Sequence, residues 1–331
     1  MSGQPWFGDT RATWLSEVEA WVSSELARGG RGSLVALESV KERVWGAVLR
    51  VVTDRGALYF KAPGPLCRHE PPIIEAIGPR WPRLVPELLA VDRERAWMLL
   101  EDHGGPMVAL PPAEQLEVLL GLLPDYAEMQ RGTADLVPPW MAAGMPDRRL
   151  HQLPLLLAEL LDGRSPIGAL SIETDERGAL EGGADRFAEV CAELADGPDA
   201  VAIDHADMHG ANVFIDGDGA RLADWGDACV THPFSSLAVP YAFVVARLPG
   251  SEPRAATFRL RDAYLEAWGG TAEHRRAFGH AVWVAHVTRA INVAHECAGT
   301  VADQGEVLDL LRTWHAKRTL LDSPAELIQP G

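Results

Sequence analysis

The run His205-Ala206-Asp207-Met208-His209-Gly210-Ala211-Asn212, followed by Asp224-Trp225-Gly226, gathers more chemistry than any other part of the chain. A carboxylate at Asp207 can accept or orient the proton of an attacking hydroxyl. The amide oxygen of Asn212, five residues on, can turn back toward a cation. Asp224 then completes an oxygen-rich set suited to Mg²⁺ held against phosphate groups. Gly226 is expected to let the backbone turn sharply after that carboxylate. Loops favour Asp, Asn and Gly in any case. Here, however, each polar group sits at the end of a short β-type run: Ala202–His205, Val213–Ile215, and Arg221–Ala223 beyond a Gly-Asp-Gly turn, together read as a hairpin inside an otherwise helical half.

Upstream, the pattern alternates between one helix and several strands. Thr10–Ala27 reads as an amphipathic helix with Trp14, Val18, Trp21, Val22 and Leu26 on one stripe, ended by Gly29-Gly30. Ser33–Glu38, Val48–Thr53 and Ala57–Ala62 read as strands, the last two joined by the turn Asp54-Arg55-Gly56. A helical stretch around Ile73–Ile77 precedes two further strands, Val85–Val91 and Ala96–Leu100. The expectation is a sheet of about five strands with one inserted helix. After Glu101-Asp102-His103-Gly104-Gly105-Pro106 strand signals almost vanish. Helical patterns run over Ala113–Gln130, Arg149–Leu161, Arg186–Leu194, Ala255–Trp268, His274–Cys297 and Gln304–Leu321, with Gly163–Gly183 read as a loop. The Gly-Gly-Pro segment is therefore the expected boundary between residues 1–103 and residues 104–331.

Composition narrows the function. The 331 residues are ordinary in apolar and charged content, and the formal charge of −17 repels phosphate backbones, so a nucleic-acid partner is not expected. No apolar stretch is long enough to span a membrane and no secretory signal is visible at the start. Cys67, Cys191, Cys229 and Cys297 lack paired spacing, which suits a cytoplasmic protein and suggests neither a disulfide framework nor a zinc site. Lys41, Lys61 and Lys317 are the only lysines beside many arginines, so each marks a position where an ammonium is needed more than usual. Lys61 ends the strand-like Ala57–Ala62. Two acids in the following helix could pair with it. Glu70 lies at minus three, minus four and minus seven from the apolar Ile73, Ile74 and Ile77, whereas Glu75 points roughly 140° away. Glu70 is preferred, at the very start of its helix because Pro71 and Pro72 follow.

These segments resemble the aminoglycoside phosphotransferase and choline kinase superfamily from about Leu34 to Leu237, most specifically at His205–Asn212 and Asp224–Ala228. The resemblance implies an α+β, bilobal, protein-kinase-like fold with an N-terminal antiparallel sheet lobe and a larger, mainly helical C-terminal lobe. It implies ATP and Mg²⁺ as cofactors, Asp207 as catalytic base, Asn212 and Asp224 as Mg²⁺ ligands, and Lys61 with Glu70 as the phosphate-side ion pair. His205 would brace the loop, and the Glu101 and His103 backbones would meet adenine. Two departures stand out. Ala206 replaces the usual glycine, and Ser39–Gly46, expected to cover the phosphates, holds a single glycine. There Lys41 or Arg43 could touch phosphate, although a solvated turn is the plainer reading.

For the acceptor, His286, Arg289, Asn292 and Glu296 recur at intervals of three and four, a polar stripe that lines a pocket or faces solvent. His209 reaches substrate or braces its loop. The expected activity is phosphotransfer to a hydroxyl of a small molecule, foremost a sugar-bearing antibiotic, aminoglycoside or nucleoside, the capuramycin type among them. Arg289 tilts the choice away from an obligate polycation. A metabolic kinase for an amino sugar, choline or homoserine is the alternative within enzymes, and a non-catalytic kinase-like binding protein the alternative outside them.

Overall fold

Helix α1 (Arg11–Gly29) buries Trp14, Val18, Val22 and Leu26 on one stripe and stops at Gly30, whose φ of 61° is a left-handed C-cap. It covers one face of a five-stranded antiparallel sheet of order β1-β2-β3-β5-β4. The strands are β1 (Leu34–Arg43), β2 (Gly46–Thr53), β3 (Gly56–Pro63), β4 (Leu88–Asp92) and β5 (Trp97–Glu101), with helix α2 (Glu70–Ile77) between β3 and β4. Leu58, Phe60 and Ala62 join the α1 core, and Phe60 meets Trp14, Trp21 and Trp97 at centroid distances of 6.1, 5.8 and 5.3 Å. Because side chains alternate along a strand, Lys61 takes the opposite face of β3 from these aromatics.

This computed structural model describes residues 3–197, 199–217, 219–296 and 301–329. The chain divides into two units, Met1–Gly105 with Ile215–Gly226, and Pro106–Phe214 with Asp227–Gly331. The two-residue strand β6 (Gly105–Pro106) closes the first stretch. Then follow α3 (Pro112–Gly132), α4 (Val137–Ala142), α5 (Leu153–Leu161), α6 (Thr174–Glu181), α7 (Ala184–Ala195), β7 (Ala202–Asp204), β8 (Val213–Asp216), β9 (Gly219–Leu222), β10 (Cys229–Thr231), α8 (Ala238–Phe243), α9 (Glu252–Glu266), α10 (Ala272–Glu296), α11 (Val301–Lys317) and α12 (Pro324–Leu327). In the second unit α10 packs against α5, α7, α11 and α12, and Trp283 on it donates its indole N–H to Trp314 O at 2.8 Å. Among the described residues no helix is long and apolar enough to cross a membrane.

Four expectations are corrected. Gly163–Gly183 is not all loop, since α6 lies inside it. That helix starts with Asp175 and Glu176 in its first turn and buries only Leu180, too little for an apolar period to be visible. The first strand does not stop at Glu38 but runs to Arg43, through most of the segment expected to be a loop. Trp6 donates its indole N–H to Arg43 O at 2.8 Å and Arg11 pairs with Glu42 at 2.7 Å, tying that end to the N-terminal residues. Next, β7 does not belong to the hairpin formed by β8 and β9. It pairs with β10, a strand the sequence reading lacked, through Asp204↔Cys229, Ile203↔Val230 and Ala202↔Thr231. Finally, Ile215–Gly226, from the second half of the sequence, packs as part of the first unit, where Leu222 N–H donates to Leu84 O at 2.8 Å. Cys297, at the expected end of the long helix, lies outside the described residues.

Candidate active site

In the first unit Lys61 is 9 % exposed, and its ammonium stands 2.6 Å from Glu70 Oε1 and 2.5 Å from Asp224 Oδ1. Glu70 is the first residue of α2, where its charge favours the helix N-terminus, and its Oε1 also accepts the Trp225 N–H at 3.0 Å. Glu75 instead pairs with Arg93 at 2.5 Å on the surface. Burial opposes the charge on Lys61, but Asp224 and Glu70 outweigh it and raise the ammonium above its ordinary value. Burial pushes Glu70 upward, with Lys61 as the chief opposing influence.

Lys41 also reaches this carboxylate, its Nζ lying 3.5 Å from Asp224 Oδ2. So two of the three lysines meet one acid, and Lys41 is not merely a solvated turn residue. Asp224 has a φ of 64°, a left-handed conformation costly for any residue with a Cβ. The expected role of Gly226 is thereby corrected. The special backbone angle belongs to Asp224, and Gly226 sits in a tight place, where a Cβ would lie 3.1 Å from Cys67 Cβ.

At the end of β5 the Glu101 N–H donates to Glu87 O at 3.0 Å, and Glu101 O faces His103 Nδ1 at 3.0 Å. His103 is buried beside Tyr59, and burial lowers its basicity. Glu101 and His103 also line a cavity of about 560 Å³ together with Ile74, Glu87 and Arg221.

The second unit holds the rest of the motif. Asp207 Oδ2 accepts the Asn212 amide N–H at 2.8 Å and lies 3.2 Å from His209 Nε2. Asp207 Oδ1 lies 3.0 Å from Arg289 Nη1. Burial works against the carboxylate, but the His209 hydrogen bond and the Arg289 and His205 charges hold it below the usual range. His205 is fully buried and its Nδ1 accepts the Asp207 N–H at 3.3 Å, a bracing contact. His209 Nδ1 accepts the Ala211 N–H at 3.1 Å, and its ring lies tilted against Phe243 at a centroid distance of 5.4 Å. Ala206, at the glycine position of the motif, has a φ of 61°.

A brace that the sequence reading missed lies beneath this loop. Asp204 is 5 % exposed and accepts from Ala206 N–H at 3.1 Å, Ser236 Oγ at 2.8 Å and Tyr126 Oη at 3.3 Å. Gln130 Nε2 adds a bond to Ile203 O at 2.6 Å. A carboxylate ending an apolar run beside the motif was the available signal.

The expected acceptor stripe on α10 is corrected. Asn292 is 3 % exposed and accepts from Arg148 Nε at 2.7 Å, so it is a core residue. His286 Nδ1 faces Val282 O of its own helix at 2.9 Å, and burial lowers its pKa to about 4. The Glu296 side chain lies outside the described residues. Arg289 is the member of the stripe that reaches the motif.

These residues suit a divalent cation chemically. Asp224 is a carboxylate that gathers two ammonium groups in the protein's own structure. Asn212 engages its amide nitrogen with Asp207, which leaves its oxygen as the atom a cation would meet. Among the described residues no group of three or more His, Cys, Asp or Glu side chains could hold a metal. Mg²⁺ asks for less, one or two hard protein oxygens with water and phosphate completing the shell.

No family model matches the chain, and no curated protein matches it. Solved structures do. A choline/ethanolamine kinase family protein from Mesorhizobium loti is 16% identical, with 96% of this chain and 99% of that one covered, at a TM-score of 0.63. A macrolide 2′-phosphotransferase type I is 15% identical over 92% of this chain and 98% of that one, at a TM-score of 0.57. A thermostable mutant of an aminoglycoside phosphotransferase, solved as a ternary complex with ADP and hygromycin B, is 12% identical over 89% and 98%, at a TM-score of 0.54. At these identities the likeness is one of fold.

Proposed function

From the fold that this chain shares with small-molecule kinases of the choline kinase and antibiotic phosphotransferase type, we propose that it transfers the γ-phosphoryl group of ATP to a hydroxyl of a small molecule. The observation that carries this reading is the buried cluster of Lys61 with Glu70 and Asp224, at 2.6 and 2.5 Å. A lone strand lysine has no reason to be buried between two acids, whereas a phosphate-binding ammonium must be held in one place.

In this reading Lys61, fixed by Glu70, holds the α- and β-phosphates. Asp224 and Asn212 are the residues that would hold Mg²⁺, whose chemistry would be to neutralise charge on the phosphates. The Glu101 and His103 backbones take the adenine edge. Asp207 receives the acceptor hydroxyl. Because neighbouring Arg289 and His209 keep its carboxylate well ionised, Asp207 is a weak base. It therefore orients the hydroxyl and takes its proton late, as suits a loose phosphoryl transfer in which positioning dominates.

The acceptor class is read from Arg289. A guanidinium 3.0 Å from the reacting carboxylate disfavours an acceptor with ammonium groups close to its hydroxyl. That supports a neutral or acidic sugar-bearing compound, an antibiotic of the nucleoside kind foremost, over an obligate polycation. The test is a compound library incubated with Mg-ATP, with mass spectrometry watching for addition of one phosphoryl group. Asp207→Ala is expected to abolish the product while Mg-ATP binding persists, and unchanged turnover would refute the assignment. Protection of cells that express the gene separates antibiotic modification from metabolic phosphorylation.

A further inference from the structure

Asp207 is restrained from two kinds of place. Asn212 and His209 hold its Oδ2, but both belong to the same loop and move with it. Arg289 comes from α10. Its Nη1 donates to Ala206 O at 3.0 Å and lies 3.0 Å from Asp207 Oδ1, an ion-pair contact without a directed hydrogen bond, so one nitrogen meets two successive residues. Its Nη2 lies 3.3 Å from Glu306 Oε1 on α11, and Asp227 adds a further negative field. The guanidinium is thereby aimed from outside the loop.

The grip falls on a strained step. Ala206, at a φ of 61°, holds a conformation that a residue with a Cβ leaves unless something retains it. Asp204 accepts its N–H at 3.1 Å and Arg289 donates to its carbonyl at 3.0 Å, so each of the two peptide groups flanking this residue is fixed. Rotation of that second peptide would swing Asp207 directly.

We propose that Arg289 is a positioning residue that fixes the Ala206 carbonyl and the Asp207 carboxylate together, with Glu306 orienting the guanidinium. This rests on the kinase reading and adds an anchor on α10 to it. A misplacement of about 1 Å at a reacting group lowers rates by about 100-fold. An anchor that acts through the loop changes kcat and leaves KM for the nucleotide in place.

The experiment uses the full chain and basal Mg-ATP hydrolysis, with water as acceptor, and compares the wild type with Arg289→Ala, Arg289→Lys, Glu306→Gln and Asp207→Ala. Arg289→Ala is expected to lower kcat by about 100-fold with KM for Mg-ATP within about twofold. Lysine keeps the charge but lacks the second nitrogen that meets Glu306, so Arg289→Lys recovers part of the loss. Glu306→Gln shows a smaller defect. Added guanidinium ion is expected to lift kcat of Arg289→Ala and leave Asp207→Ala unchanged.

Wild-type kcat in Arg289→Ala beside an inactive Asp207→Ala would overturn the proposal and spare the kinase reading. Loss of kcat in step with loss of melting temperature, with no recovery from lysine or guanidinium, would reduce Arg289 to a structural residue. A wild type no faster than Asp207→Ala would remove both ideas. If Arg289→Ala does not fold, Arg289→Lys and Glu306→Gln still decide, since a positioning role predicts a kcat defect at unchanged melting temperature.

Discussion

Replacing Lys61 by Met keeps the length of the side chain and deletes its charge, leaving two acids without the ammonium they share. Glu70 is 1 % exposed, and its Oε2 has no hydrogen-bond partner even in the intact protein. Without Lys61 its carboxylate keeps only the Trp225 N–H. Breaking a buried ion pair by removing one partner costs about 3–5 kcal/mol. The Asp224 side chain is 31 % exposed and water relieves part of its share, so the loss is expected near about 3 kcal/mol. The pH dependence has a definite sign. Burial already raises the Glu70 carboxyl and Lys61 opposes it, so in the variant the carboxyl rises further. An acid whose folded pKa exceeds its unfolded value carries no ionisation cost below the unfolded value, and the cost grows as pH rises through the folded value. The defect of Lys61→Met is therefore largest at about pH 8 and shrinks toward about pH 5. Adding Glu70→Gln removes the stranded charge, and the double variant is expected to regain about 2 kcal/mol while remaining unable to transfer phosphate. Urea denaturation followed by tryptophan fluorescence at both pH values measures all of this. A single variant as stable as wild type at the higher pH, or a double variant no more stable than the single, would refute the account of the cluster.

Ala206→Gly relieves a left-handed alanine and is expected to stabilise the protein by up to about 1 kcal/mol, seen as a higher denaturation midpoint. Lys41→Met removes an ammonium that is 41 % exposed at its side chain, so stability should not change measurably, whereas KM for Mg-ATP should rise about threefold to tenfold in steady-state kinetics. Asn292→Ala takes the acceptor from buried Arg148 and should cost about 1.5–3 kcal/mol in denaturation. Its acceptor KM should stay at the wild-type value once an acceptor is in hand, because this residue belongs to the core.

The sheet and its covering helix were legible because aromatic and aliphatic residues recur at the plain periods of strand and helix, as Trp14, Val18 and Val22 do in α1. The contact of Lys61 with Glu70 could be reached by the same geometry, since the acid shares a stripe with Ile73, Ile74 and Ile77. Periodicity failed where partners came from far along the chain. Nothing local announces that β7 pairs with β10, or that Trp6 and Arg11 tie down the end of β1. Helix α10 misled because a helix buried on most sides still shows polar residues at intervals of three and four. Asn292 satisfies an internal arginine, and His286 turns back on its own helix. Asp204 left only the faint signal of a carboxylate ending an apolar run, and Glu306 left none, because a brace is defined by what it holds.

The segment Ile215–Gly226 makes the first unit discontinuous in sequence. A growing chain therefore finishes all five strands of that sheet long before it supplies Asp224 and the N–H of Trp225. Until then Lys61 and Glu70 face each other without their third member. The nascent sheet must wait for a late clasp, and its final rigidity should arrive together with the residues proposed to handle phosphate.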